Sequence, residues 1–515
     1  MKRLITIAGI VIASFFSLSL SAQEQPESAA VVTEQSLVDS VAIESDSAIV
    51  LTETAAAAEE SLAAPKTDGL DENVYSAILS EKTMEFNIVS ILKGLLGMAA
   101  ILFIAWIFSM DRRRVCWSTV FKALGLQLII ALSVLAFPAV QTAFEVFGKM
   151  FVVVLDWTKA GSNFLFGSLM DTQTFGFIFC LQILPTIIFF SALTSLLFYL
   201  GIIQKVVWVM AWLMSKTLKL SGAESLSTAG NVFLGQTEAP LMVKEYIPSM
   251  TKSELMLIMV AGMSTMAGGV LAAYIGMLGG GIKALEIEFA KHLLSASVMA
   301  APGAVAISKI LYPQTEEIDN TVKVPKEKVG KNVLDAISNG TSEGLKLAAN
   351  VAAMLLVFYA LIAGFNYIFG KIGDWTTLNT LIAGWTDGRY TELSMQFILS
   401  YLFYPVIWLT GMPAADIDLA GRLLGEKVIL TEFVGYQSLA DMLQANMFSN
   451  HKSVIMATYL LCGFANFASI GIQIGGVGGM APSKKAILSS FGLRALLGGT
   501  LVALMSSAMI GALIA

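Results

Sequence analysis

Apolar stretches long enough to cross a lipid bilayer recur along most of the sequence, and they constrain the fold more than any other feature. A transmembrane helix needs about 20 consecutive apolar residues. Hydrophobic residues make up 56% of the chain and charged residues only 14%, whereas soluble domains carry about 25% charged residues. These proportions exclude a soluble enzyme, a disordered chain and a disulfide scaffold. The sequence predicts spans near 88–109, 119–140, 174–199, 253–278, 292–312, 346–369, 453–474 and 492–514.

The N-terminal segment is typical of a secretory signal peptide. Lys2 and Arg3 precede an apolar run over 4–20, and the small residues Ser21 and Ala22 end it. This order matches the three regions of a signal peptide, so cleavage is expected after about residue 22. The alternative is a short anchor helix that stays attached. The acidic, low-complexity tail that follows has no apolar periodicity and is expected to be exported without folding.

Basic residues between the predicted spans indicate the orientation of the chain. Asp111 and the three arginines that follow it lie between the first two spans, and four lysines lie in the loop 323–331. Short basic loops of membrane proteins stay in the cytoplasm. The sequence therefore predicts a multi-pass protein of the bacterial inner membrane with a periplasmic mature N-terminus. Three further segments, 142–168, 200–222 and 395–411, are predicted to be amphipathic or interfacial.

Two segments resemble neither a span nor a loop. The first hairpin, residues 223–246, and the second hairpin, residues 422–450, each contain two apolar runs too short to cross, joined near a glutamate. Each is followed by an apolar segment interrupted by small and polar residues, GMSTMAGG at 262–269 and GFANFASIG at 463–471. Paired interrupted segments in the two halves of a membrane protein are a sequence indicator of a transporter's binding site. Such repeats often run in opposite membrane orientations.

The polar residues of these segments indicate what is bound. Glu238 and Glu432 would each cost about 2.5–3.5 kcal/mol at the membrane centre, so each needs a partner or a ligand. Carboxylate, amide and hydroxyl groups suit a solute rich in hydroxyls and amide-like edges. Backbone carbonyls at a helix break suit a monovalent cation. The residues alone thus predict a cation-coupled carrier of a small polar solute. In the alternative interpretation, the glutamates lie on cytoplasmic loops, and Asn466 and Ser469 only bond neighbouring helices.

Other motif matches in the sequence do not indicate a functional site. The glycines over 475–479 lack the spacing of a phosphate loop, so close helix packing is the better interpretation. The sequence GTSEG at 340–344 matches a nucleophile elbow in letters, but no strand–turn–helix context surrounds it. A channel would need a continuous polar lining instead of two hairpins. An intramembrane enzyme using Glu238 and Glu432 as acid and base has no supporting metal triad or cofactor motif.

The hairpin and break motifs resemble those of the concentrative nucleoside transporters. The resemblance rests on GNVFLGQTEAPL at 230–241, EFVGY at 432–436 and GFANFASIG at 463–471, and it covers roughly 85–515. It implies a non-enzymatic sodium/nucleoside symporter in a lipid bilayer, with no nucleic acid partner. It also implies a homotrimer of eight-span protomers, in which two re-entrant hairpins in inverted repeats form a transport part that moves against a scaffold.

The resemblance also assigns roles to individual residues. The nucleobase would contact Gln236, Thr237, Glu238, Val270 and Phe464, and the ribose hydroxyls would contact Glu432, Asn466 and Ser469. Sodium would be held by Asn231, Leu234, Thr265 and Met266. A proton remains the alternative coupling ion, because Glu238 and Glu432 are titratable. Preference for purine or pyrimidine nucleosides is left open.

These features together divide the chain into seven regions. They are the signal peptide (1–22), the exported acidic tail (23–84), N-terminal spans and interfacial helices that are mainly scaffold (85–222), the first hairpin with its interrupted helix (223–312), a cytoplasmic loop and scaffold span (313–370), connecting and interfacial segments (371–421), and the second hairpin with its interrupted helix and the last span (422–515).

Overall fold

The computed structural model describes residues 87–175, 178–318 and 331–514. The predicted signal peptide at 1–22, the acidic tail at 23–84 and nearly all of the basic loop at 323–331 lie outside the described residues. Every regular element in the described ranges is a helix, and eight of the helical segments there are long and apolar enough to cross a membrane. The predicted all-α polytopic class is therefore confirmed.

The first third of the described chain consists of long helices with short connections. They are α1 (Ile88–Ile107), α2 (Trp117–Ala136), α3 (Pro138–Phe166), the short α4 (Thr172–Phe175) and α5 (Phe179–Gln182), α6 (Leu184–Tyr199) and α7 (Ile202–Leu218). The predicted spans near 88–109, 119–140 and 174–199 correspond to α1, α2 and the pair α5–α6.

The segment 142–168, predicted to be amphipathic or interfacial, forms most of the 29-residue α3. By length and composition α3 could also cross a membrane, so its interfacial position stays a prediction. Two of its charged residues pair with a later helix: Asp156 accepts from Lys283 at 2.7 Å, and Lys159 lies 3.4 Å from the carboxylate of Glu286.

The middle of the chain contains the first hairpin and the helices after it. It comprises α8 (Gly222–Gly230), the single turn α9 (Glu238–Leu241), α10 (Lys252–Ser264), α11 (Gly268–Gly279) and α12 (Lys283–Leu311). The last of these begins nine residues before the predicted span at 292–312. Nearly all of α10, α11 and α12 is buried, so these helices form the centre of the fold.

The remainder repeats the same order of elements. It comprises α13 (Val333–Trp375), α14 (Leu378–Trp385), α15 (Met395–Leu409), α16 (Ile417–Ile429), α17 (Glu432–Gln444), α18 (His451–Leu461), α19 (Phe467–Met480) and α20 (Lys485–Leu513). The predicted span at 453–474 is divided between α18 and α19, just as the span at 253–278 is divided between α10 and α11. Both divisions agree with the interrupted helices that the sequence predicted. Eight helical segments of the described residues are long and apolar enough to cross a membrane, counting α3 and the pair α10–α11 among them.

Glycines set the closest helix contacts outside the centre. Gly340 and Gly344 of α13 face α6, where an added Cβ would lie 2.6 Å from the Cβ of Ser195 and 2.8 Å from the Cα of Ile188, respectively. Small residues allow helices in membranes to approach each other closely. The GTSEG sequence therefore serves helix packing, as its lack of a hydrolase context indicated.

Candidate functional site

Local hydrogen bonds shape the first hairpin at its start and at its tip. Helix α8 begins with a capping box, in which Ser221 and Glu224 exchange hydrogen bonds of 2.9 and 3.1 Å. It ends at Gly230, and the next helical turn starts only at Glu238. The carboxylate of Glu238 accepts from the backbone N–H of Gly235 at 3.0 Å. The residues between the two helices, 231–237, therefore form a turn that carries four of the eight predicted site residues of the first half.

The second hairpin turns at Thr431 and Glu432. Thr431 caps α17 through its hydroxyl, and Glu432 is the first residue of that helix. The Glu432 side chain is inside the protein, with only 4% of the residue exposed. A carboxylate in this position needs polar partners, and the structure supplies them from two other helices.

Both interrupted helices are broken where the sequence predicted. The first break, residues 265–267, separates α10 from α11, and the second break, residues 462–466, separates α18 from α19. The two breaks touch: Cys462 donates through sulfur to the carbonyl of Ser264 at 3.6 Å, and Gly463 adopts a φ of +87°. A Cβ at Gly463 would lie 2.5 Å from the carbonyl carbon of Ser264, so glycine is required there.

A chain of hydrogen bonds connects the two hairpins through the second break. Asn466 donates to the carboxylate of Glu432 at 2.7 Å, and its own side-chain oxygen accepts from the backbone N–H of Ser469 at 2.8 Å. The hydroxyl of Ser469 accepts from the amide of Gln236 at 3.1 Å. The carbonyl oxygen of that amide, although buried, has no partner. The structure thus brings four predicted substrate residues, from four separate elements, into one polar network.

Tyr274 on α11 belongs to this network, and sequence reasoning missed it. Its hydroxyl donates to the second carboxylate oxygen of Glu432 at 3.2 Å. Its ring stacks on Tyr436 at 4.1 Å between centroids and meets the edge of Phe433 at 4.9 Å. In the sequence, only its hydroxyl group distinguishes a tyrosine from the apolar residues around it in a helix. Its importance comes from a partner that is distant in the sequence.

The predicted cation residues gather between the first hairpin and the first break. Asn231 is fully buried, and neither of its side-chain polar atoms has a partner. The carbonyl of Phe233 accepts from Gly268 N–H at 3.0 Å, which holds the hairpin turn against the start of α11. The hydroxyl of Thr265 donates to Ala261, so its lone pairs are available to an ion. Buried amide atoms are rarely left unpaired unless a ligand completes them.

Ser297 on α12 is a second residue that the sequence did not single out. Its hydroxyl donates to the carbonyl of Val232 at 3.1 Å and lies 3.5 Å from the backbone N–H of Met266. It therefore links the first hairpin to the first break, next to the predicted ligand Leu234. The described residues contain no group of three His, Cys, Asp or Glu side chains that suits a multivalent metal ion.

A cavity of about 340 Å³ lies on the other side of the first hairpin. Its volume is within the range of about 300–1,000 Å³ that is usual for small-molecule sites. Three predicted site residues line it, namely Leu234, Glu238 and Val270. Residues of α6 and α13 complete the lining, including Glu343, which the sequence analysis considered only as part of the GTSEG match.

Two further predicted residues, Thr237 and Phe464, pack against other elements. Thr237 packs against α19, where a Cβ on Gly476 would lie 2.5 Å from the Thr237 methyl carbon. Phe464 is half-buried beside the hydrophobic cluster that contains the ring of Tyr274. The glycine at 476 therefore serves close packing, as predicted for the run 475–479.

Models of three families match consecutive parts of the chain. They are described as the N-terminus of Na+ dependent nucleoside transporters (residues 96–169), nucleoside recognition (180–281) and the C-terminus of Na+ dependent nucleoside transporters (292–511). Together they include both hairpins and both breaks.

Individual relatives agree with these matches. The chain is 40% identical to an uncharacterized transporter of Haemophilus influenzae over 82% of its own length and 98% of the relative's. It is 38% identical to sodium/nucleoside cotransporter 1 of Rattus norvegicus, over 81% of this chain and 63% of the rat protein. The chain thus spans less than two thirds of that mammalian relative.

Solved structures of the transporter CNTnw have the same fold. An inward-facing, substrate-bound state has a TM-score of 0.74 at 36% identity, covering 82% of this chain and 98% of that one. An outward-facing state of a CNTnw variant has a TM-score of 0.75 at 35% identity, covering 83% and 98%.

Proposed function

The chain belongs to the concentrative nucleoside transporter family, and we propose that it imports nucleosides together with sodium, binding the nucleoside between the tips of its two hairpins. The family consists of transporters, so the chain is a transporter and not an enzyme. Solved relatives occur in inward-facing and outward-facing states, which supports transport by alternating access. The single observation that carries the assignment of the site is the hydrogen-bond chain from Glu432 to Gln236.

The polar groups of this hydrogen-bond chain match the hydrogen-bonding groups of a nucleoside. The ribose hydroxyls are donors, and Glu432, Asn466 and Ser469 supply a carboxylate, an amide and a hydroxyl for them. A hydroxyl donating to an ionised carboxylate makes a strong, charge-assisted bond. The base edge offers amide-like donors and acceptors to Gln236, whose buried oxygen has no protein partner. Thr237 and Glu238 complete the polar side of the base, and Val270 and Phe464 supply its apolar contacts.

Sodium fits the group at the first break. The Asn231 side chain, the Thr265 hydroxyl and the carbonyls of Leu234 and Met266 are neutral oxygen ligands of the kind that unwound helices offer to sodium. The unpartnered amide of Asn231 supports this position. Because the same turn carries Gln236, an ion that orders the turn also completes the nucleoside site. Ion and solute binding are then coupled through one segment of the chain.

The energy of one cation suffices for accumulation. One elementary charge moving down a membrane potential of about 100 mV releases about 2.3 kcal/mol. At about 1.4 kcal/mol per tenfold change, this supports a concentration ratio near fifty for a neutral nucleoside. A chemical gradient of sodium adds to this ratio.

The exposed surfaces of the helices support a membrane location. Large apolar side chains of α1, α3 and α13 are exposed in the single chain, which suits a lipid bilayer or further copies of the protein. We place the transporter in the bacterial inner membrane with a periplasmic mature N-terminus and a cleaved signal peptide. We also propose a homotrimer, with the region boundaries given above separating scaffold from transport parts. Mass measurement of the purified protein in detergent would test the trimer.

Uptake into proteoliposomes tests the function. Radiolabelled uridine and adenosine are offered under an inward sodium gradient alone or an inward proton gradient alone. Accumulation with sodium alone is the expected result. Accumulation with protons alone would keep the nucleoside site and overturn the sodium assignment, and no uptake of any nucleoside would overturn the proposed substrate.

Two substitutions with matched controls assign the sites. Glu432→Gln is expected to abolish uptake, whereas Glu245→Gln, at an exposed carboxylate after the first hairpin tip, leaves uptake unchanged. Asn231→Ala is expected to raise the sodium concentration for half-maximal uptake, whereas Asn163→Ala on the exposed side of α3 has no effect.

A further inference from the structure

Lys427 is a fully buried lysine that the proposed mechanism does not use. It lies in the last turn-and-a-half of α16, in the first arm of the second hairpin, and is 0% exposed. Its ammonium donates to the backbone carbonyls of Leu460 at 3.0 Å and Cys462 at 2.6 Å. Both hydrogen-bond partners of the charge are therefore carbonyls and not a carboxylate. Burying a charge in this way is costly and indicates a specific purpose.

The two carbonyls lie at the start of the second break: Leu460 is in the last turn of α18, and Cys462 is the first residue of the break. Helix α18 ends at Leu461, and the last carbonyls of a helix have no N–H partner within it. They also form the negative end of the helix dipole, which attracts a cation. The ammonium thus takes a position where broken helices of transporters offer backbone oxygens to a coupling ion.

Within the described part of the chain, the first break has no such ammonium bound to its carbonyls. It follows the same order of hairpin, helix, break and helix, with α10 ending at Ser264. Among the described residues, no lysine or arginine donates to a carbonyl between 261 and 267. The nearby Asn231 is instead left without partners. One break therefore contains a charge fixed to the chain, and the other contains neutral oxygen groups that suit a free ion.

The second hairpin holds the second break at both of its ends. Lys427 bonds the carbonyl of Cys462, the first residue of the break, and Glu432 accepts from the side chain of Asn466, the last. Lys427 and Glu432 are five residues apart in the same hairpin, and both are buried. An ammonium and a carboxylate of one hairpin thus bind the two ends of the same five-residue segment.

We propose that Lys427 is the built-in cation of the second break: its ammonium occupies the position that a free sodium ion takes at the first break, and it balances the charge of Glu432 in the nucleoside site. The proposal rests on the proposed function, because it needs sodium at the first break. Its consequence is that the pair of breaks takes up one free cation per nucleoside. The role of Lys427 is to position the break and supply charge, without contact to the nucleoside.

Chemical rescue tests the role of the charge. Lys427→Ala removes the equivalent of a propylammonium ion and leaves the two carbonyls unpaired. We expect uptake to fall at least tenfold and to recover several-fold with propylammonium in the medium. The neutral analogue propanol, similar in size, is expected to restore nothing. Equal rescue by propanol would mean that Lys427 only fills space and would overturn the proposal.

A second variant and a measurement on the unaltered protein keep the test decisive if Lys427→Ala does not fold. Lys427→Met keeps the apolar stem without the charge, and it should lose nucleoside affinity at saturating sodium. Retention of full affinity by Lys427→Met would contradict the proposal.

The ratio of sodium to uridine fluxes in the unaltered protein should be one, and a ratio of two would overturn the assignment of the second break. Absence of sodium-driven uptake in the unaltered protein would instead contradict the proposed function itself, so the two failures are distinguishable.

Discussion

The side chain of Asn466 donates a 2.7 Å hydrogen bond to the carboxylate of Glu432, which ties the last residue of a helix break to the tip of a hairpin 34 positions earlier. The same side chain caps α19 by accepting from Ser469. One amide therefore fixes the position of a substrate-binding carboxylate and the start of the next helix. Substitutions that separate these two tasks are informative.

Asn466→Asp keeps the cap and places a second carboxylate against Glu432. An aspartate accepts from the N–H of Ser469 as well as asparagine does, so α19 should still begin at Phe467. Like charges at this distance repel in a buried site. We expect the KM for nucleosides to rise more than tenfold in an uptake assay, with thermal stability changed much less. An unaltered KM would mean that Glu432 does not bind substrate.

Tyr274→Phe removes one donor from Glu432 without disturbing the aromatic stack. Loss of a hydrogen bond to a charged group costs about 1.5–3 kcal/mol, which corresponds to about tenfold or more in nucleoside affinity. The comparison variant is Tyr436→Phe, whose hydroxyl donates to the carbonyl of Thr458 at 3.1 Å and lies 3.7 Å from the sulfur of Met266, with no hydrogen bond to Glu432. Binding of nucleoside to purified protein should weaken for Tyr274→Phe and change much less for the control. Equal losses in both variants would contradict a specific role of Tyr274.

Ser297→Ala removes the link between the first hairpin and the first break. The hydroxyl that bonds the carbonyl of Val232 is lost, and the turn carrying Asn231 is less well positioned for an ion. We expect a several-fold increase in the sodium concentration for half-maximal uptake, with maximal uptake retained at high sodium. Ser295→Ala is the control, because its equally buried hydroxyl bonds Lys291 within the same helix. An equal increase in this sodium concentration for Ser295→Ala would mean that the effect comes from α12 as a whole and not from the bond between Ser297 and Val232.

Gly476→Ala tests the packing of the first hairpin on α19. A Cβ at this position would meet the methyl group of Thr237, whereas Gly475 and Gly479 face open space. Alanine in place of helical glycine otherwise favours a helix by up to about 1 kcal/mol. Uptake should therefore fall for Gly476→Ala and remain for Gly475→Ala and Gly479→Ala. Thermal melting of the three proteins identifies any general loss of stability.

The buried ion pair of Lys309 and Glu224 anchors the first arm of the first hairpin. Its atoms are 2.7 Å apart, with 4% and 0% of the side chains exposed. Removing one partner of a buried pair costs about 3–5 kcal/mol, whereas replacing both costs much less. Lys309→Met should lower the melting temperature sharply, and adding Glu224→Gln should recover part of the loss.

Lys149→Met is the control for the ion-pair prediction. It breaks the exposed pair with Glu145 and should leave melting almost unchanged. A double variant as unstable as Lys309→Met alone would contradict the account of the buried pair.

The sequence predicted the parts of the site that depend on local patterns. Both glutamates and both breaks follow from short polar motifs within apolar segments. Tyr274, Ser297 and Lys427 were missed for a physical reason. Their partners lie 158, 65 and 33–35 positions away, and each is a single polar residue in a helix. Which face of a helix meets which neighbour is a property of packing and not of the segment itself.

The charges of α3 show the same limit of sequence patterns. Asp156 and Lys159 pair with residues of α12 that lie 127 positions away. The sequence predicted the amphipathic character of the segment but not the helix that its charges meet.

Helix α13 has a consequence for the membrane around the protein. Its 43 residues measure about 65 Å at 1.5 Å per residue, more than twice the hydrocarbon thickness of about 30 Å. The tilt of transmembrane helices reaches about 40° at most, which does not absorb this excess. Part of α13 therefore lies outside the hydrocarbon layer, among lipid headgroups or water. Because lipid chain length determines how much of the helix is immersed, bilayer thickness becomes a physical variable of this transporter.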